Sequence, residues 1–74
     1  MIAKISNPMG ATIIMNREEA ATYEGSYKVQ SSTEAQPYVA INFKDGKPVG
    51  GSTITESYKA KILAKASEMG WVIE

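Results

Sequence analysis

The chain contains no cysteine and no histidine. Without cysteine there is no disulfide framework and no thiolate metal site. Without histidine the commonest zinc ligand and the commonest general base are gone. Charge of neither sign dominates: eight Lys plus Arg stand against eight Asp plus Glu, with a pI near 6.2. A dedicated binder of nucleic acid or of an anionic membrane is usually visibly basic, because it must neutralise phosphates. No apolar run approaches the ~20 residues of a transmembrane helix, and the N-terminal residues lack the charged-then-apolar profile of a signal peptide. These absences favour a cytoplasmic protein, in the host cytoplasm if its origin is viral, with no membrane partner, no cofactor and no metal.

What remains is a chain of 74 residues, one domain over 1–74, near the small end of what folds without staples. Met1 leads straight into Ile2-Ala3-Lys4-Ile5, which reads as the start of a complete small reading frame. Stability has to come from an apolar core, for which the candidates are Ile2, Ile5, Ile13, Ile14, Val39, Ile41, Phe43, Ile62, Leu63, Trp71, Val72 and Ile73. Burial of such a set works at roughly 25 cal/mol per Å² of apolar area.

The stretch from Tyr38 to Trp71 carries the clearest local signals. Tyr38-Val39-Ala40-Ile41-Asn42-Phe43-Lys44 alternates in character, and Asp45-Gly46 is a strong two-residue hairpin signal. In that register Ile41 would face Gly50 and Ala40 would face Gly51, leaving room for a helix to cross close to the sheet. Thr53-Ile54-Thr55-Glu56 matches a capping box opening a helix from about Ile54 to Met69, which Gly70 ends. Its core face would carry Tyr58, Ile62, Leu63, Ala66 and Met69, at spacings of three and four. Ser57, Ala60, Ala64 and Ser67 form a stripe of small residues on the opposite face.

Upstream, Met1 to Ser6 and Ala11 to Met15 read as strands joined by the turn Asn7-Pro8-Met9-Gly10, the second buried on both faces. Asn16-Arg17-Glu18-Glu19 is another capping-box pattern, opening a short helix to about Glu24 that Gly25 ends. A hairpin about Glu24-Gly25 is the rival reading of residues 17–24. Tyr27 to Gln30 is a strand in either case, and 31–37 is a polar stretch long enough to be a mobile loop. Trp71-Val72-Ile73 closes the chain as an added strand, with it and Ile2 to Ile5 expected in central or adjacent positions. The expected fold is therefore α+β: a mostly antiparallel sheet of five to six short strands, one long helix on one face and a second short helix.

Chemistry-bearing clusters are few. Glu18 and Glu19 point about 100° apart on a helix and do not converge on one substrate, so no catalytic residue is assigned. Gly50-Gly51-Ser52-Thr53 before a helix could cradle an anion, but the Lys that ends a phosphate loop is missing. Lys44, Lys47, Lys59, Lys61 and Lys65 all fall in the second half. A three-stranded sheet on one helix with lysines at the hairpin and helix start, as in Ser57-Tyr58-Lys59-Ala60-Lys61, resembles double-stranded-RNA-binding domains and the arm-type DNA-binding domains of integrases. The chain departs from the first family in having Tyr58 where a lysine is expected and in lacking the long N-terminal helix. That resemblance implies nucleic-acid binding through Lys44, Lys47, Lys59 and Lys61. Tyr is favoured at protein-binding surfaces, and Tyr23, Tyr27 and Tyr38 are free of the expected helix core. The leading expectation is a non-enzymatic protein-binding module, a regulator or inhibitor of a larger complex of the kind phages and mobile elements encode against host defence. Its partner-binding residues would be Tyr23, Tyr27, Tyr38, Lys44 and Lys47, and a homodimeric accessory role fits the same features. The alternative is the nucleic-acid-binding domain.

Overall fold

The computed structural model describes residues 1–23 and 32–74. Among them five strands form one antiparallel sheet: β1 (Ala3–Asn7), β2 (Gly10–Asn16), β3 (Tyr38–Lys44), β4 (Lys47–Ile54) and β5 (Val72–Ile73), in the order β4-β3-β2-β1-β5. Two helices, α1 (Arg17–Thr22) and α2 (Glu56–Glu68), complete an α+β fold. Tyr27 to Gln30 and Gly25 lie outside the described residues. The centre of the sheet is β2, and among the described residues β5 is an edge strand paired with β1, so the two chain ends are adjacent as expected and β5 is not central.

The first hairpin is built by its turn. Asn7 accepts the Met9 amide on Oδ1 at 2.8 Å, and Gly10 then adopts φ +152°. A Cβ at Gly10 would sit 2.0 Å from the Phe43 carbonyl oxygen, so β2 can meet β3 there only through glycine. In the central hairpin Asp45 and Gly46 have φ of 54° and 76°. These are the two positive values of a type I′ turn, whose twist matches the strands it joins.

The register beyond that turn differs from the expected one by a residue. Phe43 pairs with Pro48 but Asn42 pairs with Gly50, so Val49 is the extra residue of a β-bulge and Ile41 faces Gly51. Pro48 has no amide to give the ladder, and a bulge beside it re-aims the next side chain outward. The two glycines do not make room for the helix. A Cβ at Gly51 would meet the Ala40 carbonyl oxygen at 2.7 Å, and one at Gly50 would meet nothing.

Helix α2 begins two residues later than the capping-box pattern suggests. Thr55 is the cap, its hydroxyl accepting the Tyr58 amide at 3.1 Å, while Thr53 stays in β4 opposite Val39. Gly50 to Thr53 are thus strand residues, not a loop that could hold an anion. At the far end Gly70, with φ 75°, donates to Ser67 and Trp71 donates to Ala66, a Schellman motif that seats Trp71 against the core. Helix α1 is capped by Asn16, whose Oδ1 accepts the Glu19 amide at 2.9 Å. It ends at Thr22, which settles residues 17–22 as helix and excludes Thr22 from a hairpin strand.

Alternation along the strands sends side chains to two faces. Ile5, Ile14, Ala40, Ile54 and Ala66 form the core under α2, with Ile62, Leu63, Tyr38 and Trp71 packed around it. Met15, Ala20, Val39 and Ile41 form the core on the α1 side, joined by Ile13, Tyr23 and Phe43. Each fully buried Ile contributes about 1.5–3 kcal/mol. The expected core list omitted Ile54 and Met15, both buried, and included Ile2, Val72 and Ile73, which are exposed. Helix α2 keeps Ile62, Leu63 and Ala66 inward as expected but is turned toward Lys59 at its flank. Tyr58 and Met69 are exposed and Lys59 takes the inner flank. Between α1 and β3, Thr33 and Gln36 exchange backbone hydrogen bonds, and Gln36 accepts the Thr53 hydroxyl at 3.0 Å, so this part of the polar stretch is a tied turn.

Candidate partner-binding surface

The residues expected to bind a partner are distributed over both faces. Tyr23 stands on the α1 side, edge-on to Phe43 with ring centroids 6.1 Å apart. Tyr38 lies on the α2 side, and Tyr27 falls outside the described residues. Lys44 and Lys47 face each other across the hairpin tip and are both exposed, a like-charged pair that discourages a further strand from docking there.

Tyr38 is already engaged. The Lys59 ammonium sits 4.4 Å from its ring centroid and 2.9 Å from Glu56 Oε1. The Tyr38 hydroxyl, and after it Lys59, hold the Glu56 carboxyl below its usual range. Hydrogen bonding to Glu56 raises Lys59 in turn, against partial burial. This local network explains the rotation of α2: Lys59 can turn inward because a ring and a carboxylate receive it. Lys61 lies two residues on, about 200° around the helix, and faces elsewhere. The four lysines of the nucleic-acid reading therefore do not form one patch.

A concave corner emerges instead where α2 crosses the sheet. The helix covers Ile54, Ala40, Ile14 and Ile5, a diagonal from β4 to β1. That leaves the hairpin end of β2, β3 and β4 uncovered on this face, floored by Thr12 and Asn42, whose side chains are hydrogen-bonded at 2.8 Å. Against the helix wall a cavity of about 240 Å³ is lined by Ile5, Thr12, Tyr58, Ile62, Trp71 and the two lysines Lys61 and Lys65. Thr12 and Trp71 also line an adjoining groove of about 510 Å³ that reaches Met9, Val49, Asn42 and Lys44. Met9, Val49 and Tyr58 are 80%, 63% and 53% exposed. Single exposed apolar residues are ordinary on a small domain, but several around one concavity are not. The bulge that turns Val49 outward and the Schellman motif that seats Trp71 both help to build this corner.

Of the described residues in the expected partner-binding set, only Lys44 lines it. Tyr58 was missed because the pattern placed it in the core, and Met9 and Val49 because each belongs to a turn or bulge. An apolar Met at the tip of an Asn-Pro-Met-Gly turn was the one signal available in the sequence. Among the described residues no group of three or more Asp or Glu is placed to hold a metal ion, and no helix is long and apolar enough to cross a membrane. Comparison with models of known protein families, with curated proteins and with solved structures finds no match.

Proposed function

We propose that this chain is a non-enzymatic protein-binding module that regulates or inhibits a larger complex by occupying one of its surfaces. The observation that carries the reading is the corner between α2 and the sheet, where Met9, Val49, Tyr58 and Trp71 border one open concavity. Aromatic and apolar groups that rim a concave patch supply most of the energy in protein recognition. Phage- and mobile-element-encoded inhibitors of host defence act by this kind of occupation, and the size and chemistry of the chain suit that role.

Nucleic-acid binding is the weaker reading for a physical reason. Of Lys44, Lys47, Lys59 and Lys61, Lys59 is paired with Glu56 and capped on Tyr38, and the net charge is zero. Affinity capture from lysate at low and at ~0.5 M salt separates the two, because phosphate-driven binding falls steeply with salt. Protein capture that persists at high salt and resists nuclease is the expected result. Capture that disappears with either treatment would replace the reading with nucleic-acid binding.

A further inference from the structure

Resting on that reading, we infer that the corner takes an acidic peptide segment of the partner protein, with an aliphatic or aromatic side chain as anchor between Tyr58 and Trp71. The charge distribution selects the occupant. Lys61 and Lys65 stand on the helix wall, Lys44 stands across the floor, and no described acidic residue lines either the cavity or its adjoining groove. In a chain of zero net charge, three cations around one apolar concavity set a local field that steers and registers an anionic partner. The part against the helix wall, about 240 Å³ and open to solvent, falls below the ~300–1,000 Å³ of drug-sized ligand sites and suits one or two side chains.

The floor adds direction. Asn42 accepts the Thr12 hydroxyl on its Oδ1 at 2.8 Å and is exposed, so its amide NH₂ remains to donate to a backbone carbonyl or a carboxylate. Apolar anchor, flanking carboxylates and one polar contact at the floor define a short linear epitope. A phosphate backbone would place its charge on the lysines but would leave the Tyr58–Trp71 cavity without an apolar occupant.

The test selects a display library of short random peptides against the immobilised protein. Binding of each enriched peptide is then followed by the emission of Trp71, the single tryptophan of the chain. Enrichment of Asp and Glu around Leu, Ile or Phe, with a Trp71 emission shift, is the expected result. The double variant Lys61→Glu/Lys65→Glu, both exposed positions, should weaken such peptides by at least ~tenfold, and Tyr58→Ala by a similar factor. Enrichment of basic or uncharged peptides, equal affinity for the double variant, or no enriched peptide would each overturn the inference. So would a duplex oligonucleotide that shifts Trp71 emission where the peptides do not. If lysate capture persists at high salt in the double variant, the protein-binding reading stands and only the acidic-segment inference falls.

Discussion

The two faces of the sheet are covered in different ways. Under α2, thirteen helical residues cross the sheet on small side chains, Ala40 below and Ala66 above, and the crossing is diagonal. Toward α1, a helix of six residues contributes a buried Ala20, and the chain beyond it adds the Tyr23 ring, while Val39 and Ile41 are almost fully inaccessible. The difference teaches where a small domain leaves surface for work. A long helix laid obliquely across the sheet protects one diagonal and leaves a corner open, with the helix as its wall. The short helix makes a local plug over Val39 and Ile41, and its Glu19 and Thr22 border a separate cavity with Met1, Ile13, Met15 and Tyr23.

The largest effect should come where both faces fail together. Gly10→Ala forces a Cβ into the Phe43 carbonyl at a backbone angle that disfavours side chains. The expected loss exceeds ~3 kcal/mol, most of the stability of a domain this size. A wild-type melting curve for the variant would mean that β2 and β3 do not meet in this register.

Neighbouring residues on β2 then weigh one face against the other. Ile14→Ala empties the α2 core and should cost about 3–4 kcal/mol, whereas Met15→Ala on the α1 side should cost about 2. Met15→Leu should be close to neutral, since methionine fills irregular space that another flexible apolar chain can take. Chemical denaturation of the three variants ranks them, and equal losses at Ile14 and Met15 would erase the asymmetry of the faces. Trp71→Ala follows at about 2–3 kcal/mol, because the ring is only half-buried and one side of it borders the open groove.

Capping comes next. Thr55→Ala should cost about 1 kcal/mol, and Thr53→Ala less, since Thr55 and not Thr53 accepts a helix amide. The reverse order would return the start of α2 to Thr53. The smallest effect is electrostatic. The carboxyl of Glu56 titrates below its usual 4.5 in the folded protein, so its contribution is present above that value and fades as pH falls through the lowered one. The melting-temperature gap between wild type and Glu56→Gln should therefore narrow on acidification below about pH 4.5. A gap that stays constant with pH would show that the contact with Tyr38 and Lys59 does not form in solution.

Much of the fold was legible because its signals are local. Asp45-Gly46, Asn16 before Glu19, the Pro8–Gly10 turn and Gly70 each answer a backbone requirement within a few residues. The misreadings concern choices that only the sheet decides. Both Thr53 and Thr55 could cap α2, and Thr55 does so because Ile54 must still complete β4 and bury itself opposite Tyr38. Lys59 was expected among the nucleic-acid-binding lysines, and it turns inward because Tyr38 and Glu56 meet it there. The candidate surface was the least legible part. Met9, Val49, Tyr58 and Trp71 come from a turn, a bulge, a helix flank and a helix exit, and no spacing in the chain links them. Their meeting depends on the angle at which α2 crosses.

The central claim is that binding energy resides in this corner and not on the α1 side. Capture from lysate by two variants addresses it directly: Val49→Ser/Tyr58→Ala, which removes exposed apolar groups of the corner, and Thr22→Arg, which places a large side chain over the cavity beside Ile13, Met15 and Tyr23. With both variants melting like wild type, the account predicts that the first loses the captured protein at low and high salt while the second retains it. Retention by the corner variant together with loss by Thr22→Arg would place the working surface on the opposite face and contradict the account.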